Sequence, residues 1–224
     1  MITYHHELIQ GSDEWLAARC GILTASEMKL IITPTLKMAA NDKTRAHLWE
    51  LAAQRITRYV EPQYVSNDML RGHEDEIEAR ALYAKHHAEV DDCGFITNDK
   101  WGFTLGCSPD GLVGKDGVIE CKSRCQKYQM QTICNAEMPD DYLIQVQTIL
   151  LVSERVWCDF ISYSGGMPLF VQRVFADDKV QEAIVRAATE FEDRLADTIR
   201  CYEAEVKTRT LIPTERRIVQ EMYA

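Results

Sequence analysis

The stretch SPDGLVGKDGVIECK, residues 108–122, carries the pattern that decides the fold. Short, partly alternating segments are interrupted at PDG (109–111) and KDG (115–117), triplets that are typical of turns or bulges. The pattern therefore predicts short strands joined by tight turns. Similar segments from residue 94 to residue 107 extend this prediction to a β-meander.

Glu120 and Lys122 are two residues apart in the last of these strands. Since successive side chains of a strand alternate between its faces, both should lie on one face, while Ile119 and Cys121 face the core. Asp110 comes ten residues before Glu120, next to the neighbouring strand, and should approach it. The register between these strands stays open. An isolated Glu-x-Lys motif usually lies on the solvated face of a strand. Here the preceding Pro-Asp, and the apolar residues that bracket both motifs, favour a functional site.

The chemistry of these residue types points to phosphodiester hydrolysis. Two carboxylates and a backbone carbonyl make an oxygen-only site that suits Mg²⁺ or Mn²⁺. Such a metal polarises a phosphate and lowers the pKa of a bound water, and a nearby lysine can position that water. The stretch therefore predicts a metal-dependent hydrolase acting on a phosphodiester.

Periodicity and capping signals predict helices around this sheet. Thr24 and Glu27 form a capping box that should open a helix ending at Pro34. Further helices are expected over residues 43–59, 67–87, about 139–152 and 177–207, and further strands over 157–163 and 169–175. The order predicts an α/β (α+β) fold, with a mixed central β-sheet flanked by helices in one domain over residues 1–224.

Composition excludes several classes of protein. The 224 residues contain 25 Lys plus Arg against 35 Asp plus Glu, a net charge of −10, which argues against coating nucleic acid by bulk charge. Any nucleic-acid site must be local. Neither a membrane-spanning run nor a signal peptide is recognisable. Eight cysteines without a C-x-x-C pair predict reduced, mostly buried thiols in a cytoplasmic protein.

Four phrases carry a family resemblance. Pro109-Asp110 with Glu120-Cys121-Lys122 resembles the PD-(D/E)xK nuclease signature. The surrounding phrases resemble lambda-exonuclease-type viral recombinases: WLAARCGILTASE (15–27), GHEDEIEAR (72–80), CSPDGL (107–112) and YLIQVQ (142–147). Their order and spacing extend over residues 10–175. The resemblance implies a restriction-endonuclease-like fold.

The resemblance also implies roles for the central residues. Asp110 and Glu120 would bind two Mg²⁺ or Mn²⁺ ions with the backbone carbonyl of Cys121, and Lys122 would activate or position the attacking water. Glu76 matches an additional acidic residue near the second metal, and Gln145 matches an active-site glutamine. Taken alone, Glu76 would be a surface ion pair with Arg80, and Gln145 a polar residue on a packed helix.

A second site follows from the same resemblance. Arg19, Ser26 and Ser108 match a pocket for a terminal 5′-phosphate, a combination of arginine and hydroxyls that suits an anion. The alternatives are a C-terminal helix cation for Arg19 and a helix-cap hydroxyl for Ser26. Met69 or Leu70 matches an apolar wedge between DNA strands, with helical core packing as the alternative.

The resemblance implies a 5′→3′ exonuclease that degrades one strand of double-stranded DNA from its ends. The remaining 3′ overhang would serve recombination by strand annealing, with a homotrimeric ring around the DNA and a single-strand annealing protein as partner. Two alternatives stay open. One is another PD-(D/E)xK nuclease, either an endonuclease or a repair-complex module, and the other is a non-catalytic DNA-end-binding protein with the same fold.

Overall fold

The computed structural model describes residues 1–62 and 66–216, which form six α-helices and eight β-strands. The helices are α1 (Asp13–Arg19), α2 (Asp42–Thr57), α3 (Asn67–His86), α4 (Gln126–Asn135), α5 (Leu143–Ser153) and α6 (Asp178–Thr208). The strands are β1 (Ile2–His5), β2 (Leu23–Thr24), β3 (Phe95–Asn98), β4 (Leu105–Cys107), β5 (Gly111–Val113), β6 (Gly117–Ser123), β7 (Trp157–Tyr163) and β8 (Phe170–Phe175).

The strands form two four-stranded sheets, with the orders β1-β3-β4-β2 and β5-β6-β7-β8. Each sheet contains one parallel pair, β2 with β4 and β6 with β7, and its other pairs are antiparallel. The α/β class is thus confirmed. The continuous β-meander is wrong, because the chain leaves the first sheet after β4 and enters the second at β5. Pro109 lies in that connection, and a proline cannot donate a ladder hydrogen bond.

Strand β6 is buried on both faces. Ile119 and Cys121 join one core cluster with Ile161 of β7, while Val118 joins the main core with Phe160. The main core also takes in almost every apolar residue of α5, which packs against strands of both sheets. Each fully buried apolar side chain of this kind contributes about 1.5–3 kcal/mol to stability. The strand that carries Glu120 and Lys122 is therefore held rigidly.

Helix α3 is tied to the second sheet at two points. The hydroxyl of the buried Tyr83 donates to Asp159 Oδ2 at 2.6 Å, and Arg173 donates to the same carboxylate through two nitrogens at 2.8 Å each. Nearer the start of α3, Asp75 Oδ2 accepts from Ser123 Oγ at the end of β6. Glu76 lies between these two attachments, so the helix holds it against β6.

Several predicted elements are confirmed, and the helix after Thr24 is wrong. Helices α2, α3, α5 and α6 and strands β7 and β8 lie where expected. Thr24 instead belongs to β2 and pairs with Gly106, and the next NH, of Ala25, donates to the Gly106 carbonyl. In place of the predicted helix, a single 3₁₀ turn, Met28–Leu30, follows β2. Because the backbone at Thr24 and Ala25 is hydrogen-bonded to β4, it cannot start the helix that the capping box predicted. Helix α4 was not anticipated.

All eight cysteines are free. Four are buried (Cys93, Cys107, Cys121 and Cys158), but Cys125, Cys134 and Cys201 are exposed, so the expectation of mostly buried thiols holds for only half of them. No helix in the described part of the chain is long and apolar enough to cross a membrane.

Candidate active site

Asp110 lies in the crossover between the two sheets and is fixed by β6. Its backbone NH donates to the Ile119 carbonyl at 3.1 Å, and its carboxylate Oδ2 accepts from the Cys121 NH at 2.5 Å. These two bonds set the register that the sequence left open. They place the Asp110 carboxylate beside the strand that carries Glu120 and Lys122.

Glu120 is the centre of a hydrogen-bonded group on β6. Its Oε1 accepts from Lys122 Nζ at 2.5 Å and from Gln145 Nε2, on α5, at 2.5 Å. Glu120 is only 2% exposed, whereas the Lys122 side chain is 23% exposed. The alternation of a strand thus puts carboxylate and ammonium on one face, as expected. Gln145 spans from α5 to this group, so it is more than a polar residue of a packed helix.

Glu76 approaches the same group from α3. It lines a cavity of about 280 Å³ together with Asp110. Arg80, its expected partner in a surface ion pair, pairs with Asp92. Burial raises the pKa of the Glu76 carboxyl, Arg80 opposes this rise, and the negative charge of Glu120 adds to it.

The three carboxyl groups and Lys122 influence one another strongly. Burial, and then the charges of Glu120 and Glu76, raise the pKa of Asp110 well above its ordinary value. Burial disfavours the charged form of Lys122, but Glu120 and Asp110 outweigh it and raise the pKa of the ammonium group. Lys122 is therefore a cation at neutral pH, whereas burial and mutual repulsion favour the protonated forms of Asp110 and Glu76.

The residues present fit a hard divalent cation. Glu120 Oε2 is buried and has no hydrogen-bond partner among the described residues. A buried carboxylate oxygen without a partner is unfavourable, and a cation would offset both this cost and the repulsion from Asp110. In the described part of the chain, no three His, Cys, Asp or Glu side chains form a metal-holding group by themselves. The Cys121 carbonyl stays a predicted donor from the backbone.

A cavity of about 180 Å³ joins this group to the predicted phosphate pocket. Its lining contains seven residues that the sequence singled out: Arg19, Ser26, Ser108, Asp110, Glu120, Lys122 and Gln145. Asp110 and Gln10 line both this cavity and the one that contains Glu76. The structure therefore brings together the residues of the two predicted sites.

Arg19 is held at the cavity by Thr24, which the sequence analysis placed at a helix cap, and by Trp15, to which it assigned no role. Its Nη2 donates to Thr24 Oγ1 at 3.2 Å, and its Cζ lies 4.2 Å from the centroid of the Trp15 ring. The Trp15 indole NH donates to Ser108 Oγ at 3.0 Å. Burial lowers the pKa of Arg19, and Glu27 opposes this shift. Trp15 is four residues before Arg19 on α1, a helical spacing that could have identified it.

Ser26 and the two wedge candidates are exposed. Ser26 lies outside any α-helix, so its role as a helix cap is wrong, and its hydroxyl is 3.3 Å from Thr24 Oγ1. Met69 and Leu70, in the first turn of α3, are 52% and 55% exposed, which excludes core packing for both. Their role as a wedge stays a prediction.

Comparisons with known proteins agree with this geometry. Residues 14–156 match the model of the YqaJ-like viral recombinase domain. The alkaline exonuclease LHK-Exo from Laribacter hongkongensis is 30% identical, with a TM-score of 0.78 over 88% of this chain and 98% of that chain. Its complex with dAMP matches at 31% identity, over the same shares of both chains and with the same TM-score. A phage-related exonuclease from Haemophilus somnus 129PT shares the fold at 13% identity, with a TM-score of 0.55 over 80% of this chain and 96% of that one. No curated protein matches.

Proposed function

Because the chain belongs to the YqaJ-like viral recombinase family, we propose that it is a metal-dependent exonuclease that degrades one strand of double-stranded DNA in the 5′→3′ direction. The product would be a duplex with a 3′ single-stranded overhang, ready for recombination by strand annealing. The observation that carries the proposal is one cavity that contains Asp110, Glu120 and Lys122 together with Arg19.

The chemistry at the scissile phosphate follows from the carboxylates and the ammonium group. Asp110, Glu120 and the Cys121 carbonyl would hold Mg²⁺ or Mn²⁺, with Glu76 near a second ion. Bound there, the metal supplies polarisation of the phosphate and a water of lowered pKa. Lys122 would activate or position the attacking water, and as an ammonium group it would stabilise negative charge on the phosphate. Gln145 and Lys122 together hold Glu120 in place.

The preference for an end would come from Arg19, Ser26 and Ser108. A guanidinium with two hydroxyls suits a terminal phosphate, which carries more negative charge than an internal phosphodiester. Ser108 is two residues before Asp110, so a phosphate held at Ser108 would place the first phosphodiester beside the carboxylates. Cutting would then begin at a 5′ end and proceed inward.

The assembly and the partner are proposed from the family resemblance. A homotrimeric ring would keep the enzyme on DNA despite a net charge of −10, because positive potential can be confined to a channel. A single-strand annealing protein would take up the 3′ overhang. Met69 or Leu70, exposed at the start of α3, would separate the strands.

The test of the proposed function is digestion of DNA with defined ends. We expect Mg²⁺-dependent release of nucleotides from linear duplexes with a free 5′ end, none from duplexes blocked at the 5′ ends, and none from covalently closed circles. Cleavage of closed circles would favour an endonuclease of the same superfamily. Binding of ends without any release would favour the non-catalytic alternative.

Replacement of Arg19 tests the phosphate pocket. Arg19→Ala is expected to reduce the preference for 5′-phosphorylated over 5′-hydroxyl ends about tenfold or more, because a charge-assisted contact made only to the phosphate is lost. The measurement is the ratio of initial digestion rates on the two substrates. Arg194→Ala, at an exposed ion pair of α6, is the control and should leave the ratio unchanged. An unchanged ratio in Arg19→Ala would refute the pocket.

A further inference from the structure

A larger cavity, of about 550 Å³, lies beside the active site and has no role in the function proposed above. Arg124, just beyond β6, and Tyr128 of α4 form one wall. The segment between α4 and α5 forms an acidic wall of the same cavity, with Glu137, Asp140 and Asp141. Ligand sites for small molecules usually have volumes of about 300–1,000 Å³, so this cavity is large enough for a nucleotide.

Cations and aromatic rings alternate from Lys122 to this cavity. Lys122 Nζ is 5.6 Å from the centroid of the Tyr142 ring, and Arg124 donates to the Tyr142 hydroxyl at 2.6 Å. The Arg124 guanidinium lies 5.3 Å from the Tyr142 ring and 5.2 Å from the Tyr128 ring. Lys127 Nζ follows, 4.7 Å from the Tyr128 ring. Tyr128 is 44% exposed, so part of its side chain is accessible to a ligand.

Two buried polar atoms at the cavity have no partner among the described residues. Thr132 lines the cavity, is 2% exposed, and its hydroxyl makes no hydrogen bond. The Nε of Arg124 is also buried and unpaired. Unpaired buried groups are unfavourable, but both atoms are shielded from solvent, so a ligand in the cavity would be recognised by the accessible charges and rings of the lining.

We propose that this cavity binds one unstacked nucleotide of single-stranded DNA, on the route by which a strand reaches or leaves the active site. The inference rests on the proposed function. Aromatic rings stack on any base, and an arginine plane does the same while its charge attracts the backbone. Arg124 supplies that charge in the cavity lining, and Lys127 adds to it beside the Tyr128 ring, so the phosphates lie on their side.

The acidic wall sets the orientation of the nucleotide. Carboxylates repel a phosphate backbone but accept hydrogen bonds from the exocyclic amino groups of bases. The base therefore points toward the segment between α4 and α5, with the Tyr128 ring against its face. A basic peptide would suit this acidic wall, but it would leave Arg124 facing like charges.

The test is binding of a short fluorescein-labelled single-stranded oligonucleotide, measured by anisotropy in EDTA so that no hydrolysis occurs. Tyr128→Leu keeps an apolar side chain and removes the ring, and we expect its Kd to rise about tenfold or more. Tyr128→Phe keeps the ring and should bind as wild type does. Met130→Ala is the matched control on α4, because Met130 is 61% exposed and does not line the cavity.

The proposal would be overturned if Tyr128→Leu bound the oligonucleotide with wild-type affinity. It would also be overturned if Tyr128→Phe and Met130→Ala lost as much affinity as Tyr128→Leu. If Tyr128→Leu fails to fold, Arg124→Gln tests the same wall and should also raise the Kd severalfold. The outcome is separable from that of the proposed function. If the wild-type protein digested linear duplexes while both cavity variants bound the oligonucleotide normally, the proposed nuclease function would stand and the proposed nucleotide site would be rejected.

Discussion

Lys122→Ala is expected to abolish DNA hydrolysis while DNA ends bind with nearly wild-type affinity. The Lys122 ammonium group lies 2.5 Å from Glu120 Oε1 and stays protonated because the carboxylates raise its pKa. In the proposed mechanism it acts on the attacking water and on developing negative charge, both of which matter mainly in the transition state. Loss of such a group typically reduces the rate by about 10²- to 10⁴-fold.

The measurements are single-turnover digestion of a 5′-phosphorylated duplex and binding of the same duplex in Ca²⁺ or EDTA. Lys122→Met keeps the apolar stem and separates loss of charge from loss of packing. Lys115→Ala, in the exposed turn between β5 and β6, is the matched control and should retain full activity. Retained turnover in both Lys122 variants would remove this lysine from the mechanism.

Side-chain alternation was enough to predict part of the active site. It placed Glu120 and Lys122 on one face, and the 2.5 Å contact between them agrees. It could not give the position of Asp110, because the chain changes sheets around Pro109 and local periodicity carries no information about pairing after such a break. That position depends on the two hydrogen bonds from Asp110 to β6.

Tertiary pairing also overrode a local signal at Thr24. A capping box was visible in the sequence, but the pairing of β2 with β4 involves the same backbone. The side chains of Thr24 and Glu27 still meet, with Oγ1 donating to Oε2 at 2.6 Å, and Thr24 accepts from Arg19 as well. Sequence reasoning found the residues of this region and assigned them the wrong backbone. The contacts of Trp15 with Gly94 and Ser108 depend on where the tertiary fold places α1, which no local pattern encodes.

Asp110→Asn is expected to lose metal-dependent activity by orders of magnitude and, without metal, to be at least as stable as wild type. Activity is lost because the substitution removes the charge of a proposed ligand of the ions. The stability of the metal-free protein is not lost with the charge, because burial and neighbouring carboxylates raise the pKa of Asp110 in the folded protein. A raised carboxyl pKa means that the folded state binds more protons than the unfolded one, so ionisation of Asp110 destabilises the apo-protein as the pH rises toward neutrality.

Two thermal melts separate these effects. In EDTA at neutral pH, the Tm of Asp110→Asn should equal or exceed that of wild type, whereas added Mg²⁺ should raise the wild-type Tm and leave that of the variant nearly unchanged. Asp116→Asn, in the exposed β5–β6 turn, is the control and should follow wild type in both conditions. A Mg²⁺-dependent rise in Asp110→Asn as large as in wild type would exclude Asp110 as a ligand. In this proposal the Asp110 carboxylate lowers the stability of the metal-free protein and raises that of the metal-bound protein, because only the bound cation offsets the cost of burying its charge. If wild type and Asp110→Asn had the same Tm in EDTA and the same Tm in Mg²⁺, Asp110 would have no such role.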